Sequence, residues 1–323
     1  GFKNSKKTQS TGFTTPESID LNKILSELVS LNTSNLVMEV SSHALSQRRV
    51  DGINFNIAVF SNLSHDHIDF HGNFENYFNS KLILFKNLTS DNIAIINEND
   101  SRCEEIKNIT KAQILTYGFS DKCNIYPEKF TSTLEGTEIL LNINNDLIKV
   151  KSPLLGIYNL ENTMASFLVA LSINIDKKII ADSLSKNFTI PGRLEKIHNH
   201  LNKNIFIDYA HSPDAYNNVF KTLKNVINKN FTLITIFGCG GNRDRLKRPK
   251  MAQIVEKYSD KIIITNDNPR YENPEIILKD IKKGLKRLND VKIILNREEA
   301  VCYGISITNE KSILLILGKG RET

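Results

Sequence analysis

The sequence predicts an α/β protein of two domains, the second an open, Rossmann-like sheet. Three observations carry that expectation. Five short apolar runs in the second half alternate with helical segments, the pattern of parallel strands joined by right-handed crossovers. Polar clusters follow those runs, where ligands meet the carboxyl ends of strands in such sheets. At 323 residues the chain is long enough for two domains, each with its own core.

The elements are read in chain order. "NLVMEV" (35–40), "NIAVFSNLS" (56–64) and "NIAIINEND" (92–100) are β-rich runs bounded by Asn, Ser and Asp, and each predicts a strand. "TEILLNINNDLIKVKS" (137–152) predicts a hairpin turning at Asn144–Asn145–Asp146. In "NLENTMASFLVALSI" (159–173), Leu160, Met164, Phe167, Leu168 and Leu171 form a stripe of helical period. "TIPGRLEKI" (189–197) places a turn at Pro191–Gly192, so domains are expected over 1–189 and 190–323. "IFIDYA" (205–210), "FTLITIFG" (231–238), "KIIIT" (261–265), "VKIIL" (291–295) and "SILLILG" (312–318) are the five strands of the second domain.

Composition excludes several classes. Hydrophobic content of 40% and charged content of 24% are globular values. No apolar run approaches the roughly 20 residues of a membrane-spanning helix, and no signal peptide is recognisable. Cys103, Cys123, Cys239 and Cys302 are far apart without a CxxC pair, which argues for a reducing, cytoplasmic setting and against zinc or disulfide scaffolding. The net charge of +6 is spread along the chain, and "KDIKKGLKR" (279–287) reads as a solvated helix face rather than a nucleic-acid patch. Anionic small molecules remain natural partners.

Each motif has a bland reading beside the functional one. Glu39 closes an apolar strand, where a carboxylate is a candidate ligand or base but, taken alone, is more readily an ordinary strand end. Ser41, Ser42, His43, Gln47 and Arg49 gather donors and a cation suited to a phosphate or carboxylate, or else cap a helix. "SHDHIDFHG" (64–72) holds His65, His67 and His71; read as a loop with no helical metal spacing and no nearby Cys, it predicts one functional histidine rather than a zinc cage. Lys81 is expected to open a helix. "GCGGNRD" (238–244) follows a strand but lacks the third glycine of a dinucleotide loop, and no GxxxxGK[ST] segment is present.

Nine segments in order, "TTPES", "MEVSSHALSQRR", "SNLSHDHIDFHG", "GIYNLENTMAS", "PGRLE", "DYAHSPDA", "FGCGGNRDRLKRP", "NDNPR" and "GKGRE", together resemble the Mur ligase family over nearly the whole chain. The resemblance implies a central ATPase domain, truncated here, followed by the Rossmann-like domain. It implies ATP-dependent amide formation through an acyl phosphate, with Mg²⁺ and cations neutralising crowded anions. It also implies a cytoplasmic, monomeric enzyme of peptidoglycan precursor synthesis.

Carried onto these positions, Glu39, His67 and Lys81 are the expected catalytic and Mg²⁺-holding residues. Carbamylation would turn Lys81 from a cation into a metal-binding anion. Thr14, Thr15, Ser41, Gln47 and Arg49 are expected to bind UDP-N-acetylmuramoyl-L-alanyl-D-glutamate. Asn159, Asn162, Arg193, Asp208 and His211 are expected at ATP, with domain closure hinged near Pro191–Gly192. Family members that use meso-diaminopimelate carry the DNPR found here at 267–270. Arg243, Asn268, Arg270, Gly318 and Glu322 are therefore expected to form its pocket, an arginine gripping the distal carboxylate.

Two departures stand out: Arg321 replaces the family's usual His, and "GNRD" replaces GDRD. The uridine-binding domain and the phosphate-cradling loop that the family carries are missing before Gly1, so the sequence is expected to be a fragment with little activity alone. A non-catalytic ligand-binding module and a folylpolyglutamate synthase-like ligase are the alternatives.

Overall fold

The computed structural model describes residues 2–4, 8–9, 11–64, 67–186, 188–227, 231–320 and, of Asn289, the backbone alone. Contacts divide them into two compact units. One comprises Gly1–Pro127, Leu141–Leu147 and Glu161–Ile180, the other Glu128–Leu140, Ile148–Leu160 and Ala181–Thr323.

The first unit begins with a two-stranded ribbon, β1 (Phe2–Lys3) and β2 (Thr8–Gln9), followed by α1 (Ser18–Ser30) and α2 (Ser42–Ser46). Then come β3 (Ile57–Phe60), α3 (Ile68–His71), α4 (Phe74–Lys86), β4 (Ile93–Asn97), α5 (Cys103–Ile109) and β5 (Gln113–Tyr117). β3, β4 and β5 are parallel, with Ile57 opposite Ile93 and Ile93 opposite Gln113. Ala58, Phe60, Ala94 and Ile96 on one face of these strands bury Phe78, Leu82 and Phe85 of α4. The three apolar positions of α4 recur at four- and three-residue steps, which is why one face of the helix is claimed by the sheet.

β6 (Ile125–Thr133), β7 (Gly136–Ile143) and β8 (Asp146–Ser152) extend this sheet in the order β3-β4-β5-β6-β7-β8. The β7–β8 turn falls where the sequence puts it. Asn144 and Asn145 both adopt positive φ, 52° and 71°, the pair of left-handed residues that a two-residue hairpin turn requires. α6 (Ile157–Ser172) and α7 (Lys177–Leu184) follow.

One predicted strand is absent. Residues 35–40 form no strand; Val37 is 87% exposed and only Met38 and Val40 pack, against Leu21, Leu45 and Val50. A β-rich run becomes a strand only when a neighbour satisfies its amides and carbonyls, and no described strand pairs with this one.

The second unit contains all five predicted strands. They are β10 (Asn204–Asp208), β11 (Thr232–Phe237), β12 (Lys261–Ile264), β13 (Val291–Ile293) and β14 (Ser312–Leu317), with β9 (Glu195–Lys196) on the edge. The order is β13-β12-β11-β14-β10-β9, all parallel except β9. α8 (Pro213–Val226), α9 (Lys247–Tyr258), α10 (Pro274–Lys282) and α11 (Arg297–Ile307) make the crossovers. Every residue of β14 is buried, as expected of a central strand covered on both faces.

Helix starts are locally encoded. Ser212 and Asn273 accept bonds from Ala215 N and Glu275 N just before a proline in the first turn of α8 and α10. Because β14 inserts between β10 and β11, the strand order reverses there. The loops after β10, β11, β12 and β14 consequently open at one end of the sheet.

Candidate active site

In the first unit the segments carrying Glu39, His67 and Lys81 meet around buried polar contacts. Lys81 lies within α4, which starts at Phe74 and is capped by Asn73; the expectation that it opens a helix is corrected. The helix starts earlier because Asn73 supplies the N-terminal acceptor. Lys81 is half-buried, its Nζ 5.3 Å from the centre of the Tyr77 ring. The His67 ring lies 5.8 Å from that same ring and 4.8 Å from His43.

The loop reading of the histidine stretch is also corrected. Ile68–His71 form a helical turn, so His67 and His71, four apart, flank it. Among the described residues only Glu98, Cys103 and Glu104 bring three metal-ligating atoms together, so His43, His67 and His71 do not close on one point. His65 lies outside the described residues.

His71 is buried, its Nε2 bonded to Ser42 Oγ at 3.0 Å and its Nδ1 to Ser80 Oγ at 3.3 Å. Ser80 Oγ is in turn 2.9 Å from Ser46 Oγ. This histidine therefore ties α2, next to Glu39, to α4, next to Lys81. Burial, followed by the charges of His43, His67 and Lys81, lowers its pKa, so it is neutral at neutral pH. Sequence reasoning set His71 aside, because its partners are scattered serines without a local pattern. Glu39 is exposed, and its carbonyl accepts a 2.8 Å bond from Thr15 Oγ1.

Four of the five expected muramoyl-dipeptide residues form one network. Thr15 Oγ1 accepts from Ser41 N at 3.0 Å, Arg49 Nη1 donates to Thr15 O at 3.1 Å, and Arg49 Nη2 donates to Gln47 Oε1. Arg49 also pairs with Glu17 at 2.9 Å and stacks 4.5 Å over the Phe13 ring. Thr14 is exposed beside them. Phe13 and Glu17 were missed as partners, although both belong to or adjoin the "TTPES" segment.

Asn159 and Asn162 stand three apart on α6, and Asn159 Nδ2 donates to Leu155 O at 2.9 Å. Arg193, Asp208 and His211 converge in the second unit. Asp208, ending β10, accepts from Leu194 N at 2.6 Å and Ala210 N at 2.7 Å. Burial raises its pKa against those two bonds and the charges of Arg193 and His211. Arg193 lies 5.8 Å over the Tyr209 ring, whose neighbour His211 meets it edge-on at 5.1 Å. Gly192 is required here. It has φ 69°, and a Cβ would lie 2.6 Å from Gly320 Cα, so the "PGR" and "GKG" turns approach too closely for any side chain. Arg193 also lines a cavity of about 580 Å³ beside the β6–β7 turn, which none of the other expected site residues reaches.

The expected amino-acid pocket lies at the ends of β11, β12 and β14. Gly241 N donates to Asn268 O at 2.9 Å, and Arg270 Nη1 donates to Gly241 O at 2.7 Å. Arg270 adopts φ 51°, with its N–H on Asn268 Oδ1 at 3.1 Å. Gly318, at φ 81°, passes close to Asp267, whose Oδ2 would be 3.3 Å from an added Cβ. Arg243 is exposed. Glu322 and Arg321 lie outside the described residues.

Residues 2–170 match the Mur ligase middle domain, and residues 192–320 match the Mur ligase glutamate ligase domain. This chain belongs to the Mur ligase family. Among relatives of this Mur ligase chain are two enzymes named UDP-N-acetylmuramoyl-L-alanyl-D-glutamate–2,6-diaminopimelate ligase. That of Geobacillus thermodenitrificans is 36% identical over 317 residues, 96% of this chain and 64% of the relative. That of Clostridium acetobutylicum is 41% identical over 314 residues, 96% of this chain and 63% of the relative. The chain therefore spans about 64% of the length of such relatives. A solved ligase of that name superposes with TM-score 0.68 at 34% identity, covering 95% of this chain and 63% of that one. A Mycobacterium tuberculosis folylpolyglutamate synthase shares the fold at TM-score 0.66 and 19% identity.

Proposed function

We propose that this Mur ligase chain is part of an ATP-dependent ligase that joins meso-diaminopimelate to UDP-N-acetylmuramoyl-L-alanyl-D-glutamate. The observation that carries the substrate choice is the seating of Arg270. One edge of its guanidinium is spent on Gly241 O, and among the described residues Nη2 and Nε make no hydrogen bond, so two parallel donors remain for a carboxylate. A second carboxylate is what distinguishes diaminopimelate from lysine. The names of relatives 36% and 41% identical support the same choice.

In this reading the dipeptide carboxylate attacks the γ-phosphorus of ATP and ADP leaves. The amine of the incoming amino acid then attacks the acyl carbon, losing a proton as phosphate departs. Arg49, fixed by Glu17, Gln47 and Thr15, would orient the muramoyl dipeptide. Asp208, Arg193 and the asparagines of α6 would hold the nucleotide.

Glu39, His67 and Lys81 would hold Mg²⁺, which when bound neutralises charge on the transferring phosphoryl group. Glu39 offers carboxylate oxygens and Lys81 would offer oxygens once carbamylated, the donors Mg²⁺ prefers, whereas an ammonium supplies none; His67 would add one imidazole nitrogen. We take 1–189 and 190–323 as the domains and a cytoplasmic monomer as the working form. No helix among the described residues is long and apolar enough to cross a membrane.

The test is a ligation assay with the whole enzyme that contains this chain, offering diaminopimelate, lysine or glutamate and detecting the tripeptide product by mass. Diaminopimelate is the expected substrate. Preference for lysine would remove the role given to Arg270.

A further inference from the structure

Arg248 is an ordinary member of a basic stretch in "RLKRPK", yet its side chain is completely buried. It sits in the first turn of α9, where the helix dipole disfavours a cation. Something specific must hold a charge there. Its guanidinium is bidentate to Glu272, Nη1 to Oε1 at 2.7 Å and Nη2 to Oε2 at 2.6 Å. Nη1 also donates to Asp280 Oδ2 at 3.1 Å and Nη2 to Gly240 O at 3.2 Å. One side chain thus grips the loop after β11 through Gly240 and the loop after β12 through Glu272.

These are the two loops that define Arg270. Glu272 Oε2 also accepts from Asn242 N at 3.0 Å, and Asn242 Oδ1 accepts from Tyr271 N at 3.0 Å. Between those ties, Arg270 reaches Gly241 O. A buried ion pair is weak evidence of a stabilising role, because desolvation offsets most of the attraction. Arg248 Nε is in addition buried without a hydrogen-bond partner, a cost that a purely stabilising residue would not carry. What the network does supply is a single relative placement of a glycine-rich loop and a proline-containing one.

We propose that Arg248, acting through Glu272 and Gly240, is a positioning residue that sets the orientation of Arg270 and so determines which amino acid the ligase accepts. The inference rests on the diaminopimelate reading above. Arg248 is completely buried and so has no surface to offer a substrate or a nucleotide. It acts by holding the carbonyl of Gly240, next in the chain to Gly241, on whose carbonyl Arg270 leans.

The test uses the whole enzyme with Arg248→Lys, which keeps the charge but loses the two-pronged grip, and Glu272→Gln, which keeps the size. Steady-state kinetics are measured for all three substrates, with lysine as competitor amino acid. Arg248→Lys is expected to raise KM for diaminopimelate by about tenfold to 100-fold, the scale of a small displacement at a site. KM for ATP and for the muramoyl dipeptide should stay within about twofold, since uniform losses would reflect folding rather than positioning. Discrimination against lysine should fall in parallel, and Glu272→Gln should reproduce the split even if Arg248→Lys fails to fold. Unchanged KM for diaminopimelate in a folded variant, or all parameters moving together, overturns the proposal. If the wild-type enzyme prefers another amino acid, the substrate reading fails instead, and positioning is judged by the same split for the amino acid that is used.

Discussion

Replacing Gly241 with alanine tests the geometry of the proposed amino-acid pocket directly. Gly241 does not occupy the left-handed region, so alanine meets no backbone penalty there; the obstacle is purely steric. A Cβ would lie 1.9 Å from Pro269 O and 2.6 Å from Pro269 C. A carbon and a carbonyl oxygen need about 3.3 Å, so the loops must part by roughly 1.4 Å. The 2.9 Å bond from Gly241 N to Asn268 O cannot survive that separation. Losing it costs about 1 kcal/mol, and forcing the atoms apart about 1–3 kcal/mol more. Thermal unfolding of the whole enzyme should therefore shift down by about 5 °C or more, with KM for the amino acid rising. Gly240→Ala supplies the contrast. Its Cβ is crowded by Arg270 Nη1 alone, at 3.1 Å, the far end of a flexible side chain, while Asn268 O stands at an ordinary 3.7 Å. The midpoint should hardly move while KM for the amino acid still rises. If Gly241→Ala leaves both midpoint and KM unchanged, the close approach of the two loops is wrong.

Other outcomes follow from single features. Gly156→Ala places a Cβ 2.3 Å from Thr222 Cγ2 at a φ of 86°; it should destabilise by about 2–3 kcal/mol, and Thr222→Ala should restore only part, because about 1 kcal/mol is backbone strain. Glu272, held down chiefly by Arg248, and Asp280, chiefly by Lys283, both have pKa values near about 2. Their folded values lie below the ordinary carboxyl range of about 4, so the stability they contribute is present above that range and lost as pH falls toward 2. Acid unfolding profiles of Glu272→Gln and Asp280→Asn should be flatter over that interval. Cys103, Cys123 and Cys239 are buried and Cys302 is exposed, with burial pushing the Cys239 thiol up to about 12. A thiol reagent should thus label Cys302 fast and the others only on unfolding; rapid labelling of Cys239 would contradict its burial. His71→Leu strands the hydroxyl of Ser42, whereas Ser80 keeps Asn76 O and Ser46 Oγ, and should cost about 1–3 kcal/mol by thermal or chemical unfolding, with His71→Gln recovering part of the loss.

How much could be read without coordinates differs between the two units. In the second unit each strand is a short, largely apolar run, and a buried parallel strand needs little else to be recognised. The helix starts at Ser212 and Asn273 are written in neighbouring residues, as is the asparagine turn of the β7–β8 hairpin. The nine ordered motifs likewise carried the family assignment, because each is a local string.

The failures were all of one kind. "NLVMEV" has strand composition, but a strand exists only through a partner, and none is paired with it among the described residues. Lys81 was placed at a helix start because the cap at Asn73 lies beyond its own neighbourhood. His71 looks incidental in the sequence, and nothing near Arg248 marks it out from its basic neighbours. Their roles come from Ser42 and Ser80 in one case, and Glu272, Asp280 and Gly240 in the other, residues 8 to 32 positions away. Local strings by themselves determined most of the elements and the family, because backbone preference and motif residues act over a few positions. Only the tertiary structure decided which groups are buried, which loops are clamped together and which arginine is left facing outward, because burial and ion pairing depend on neighbours brought in from far along the chain.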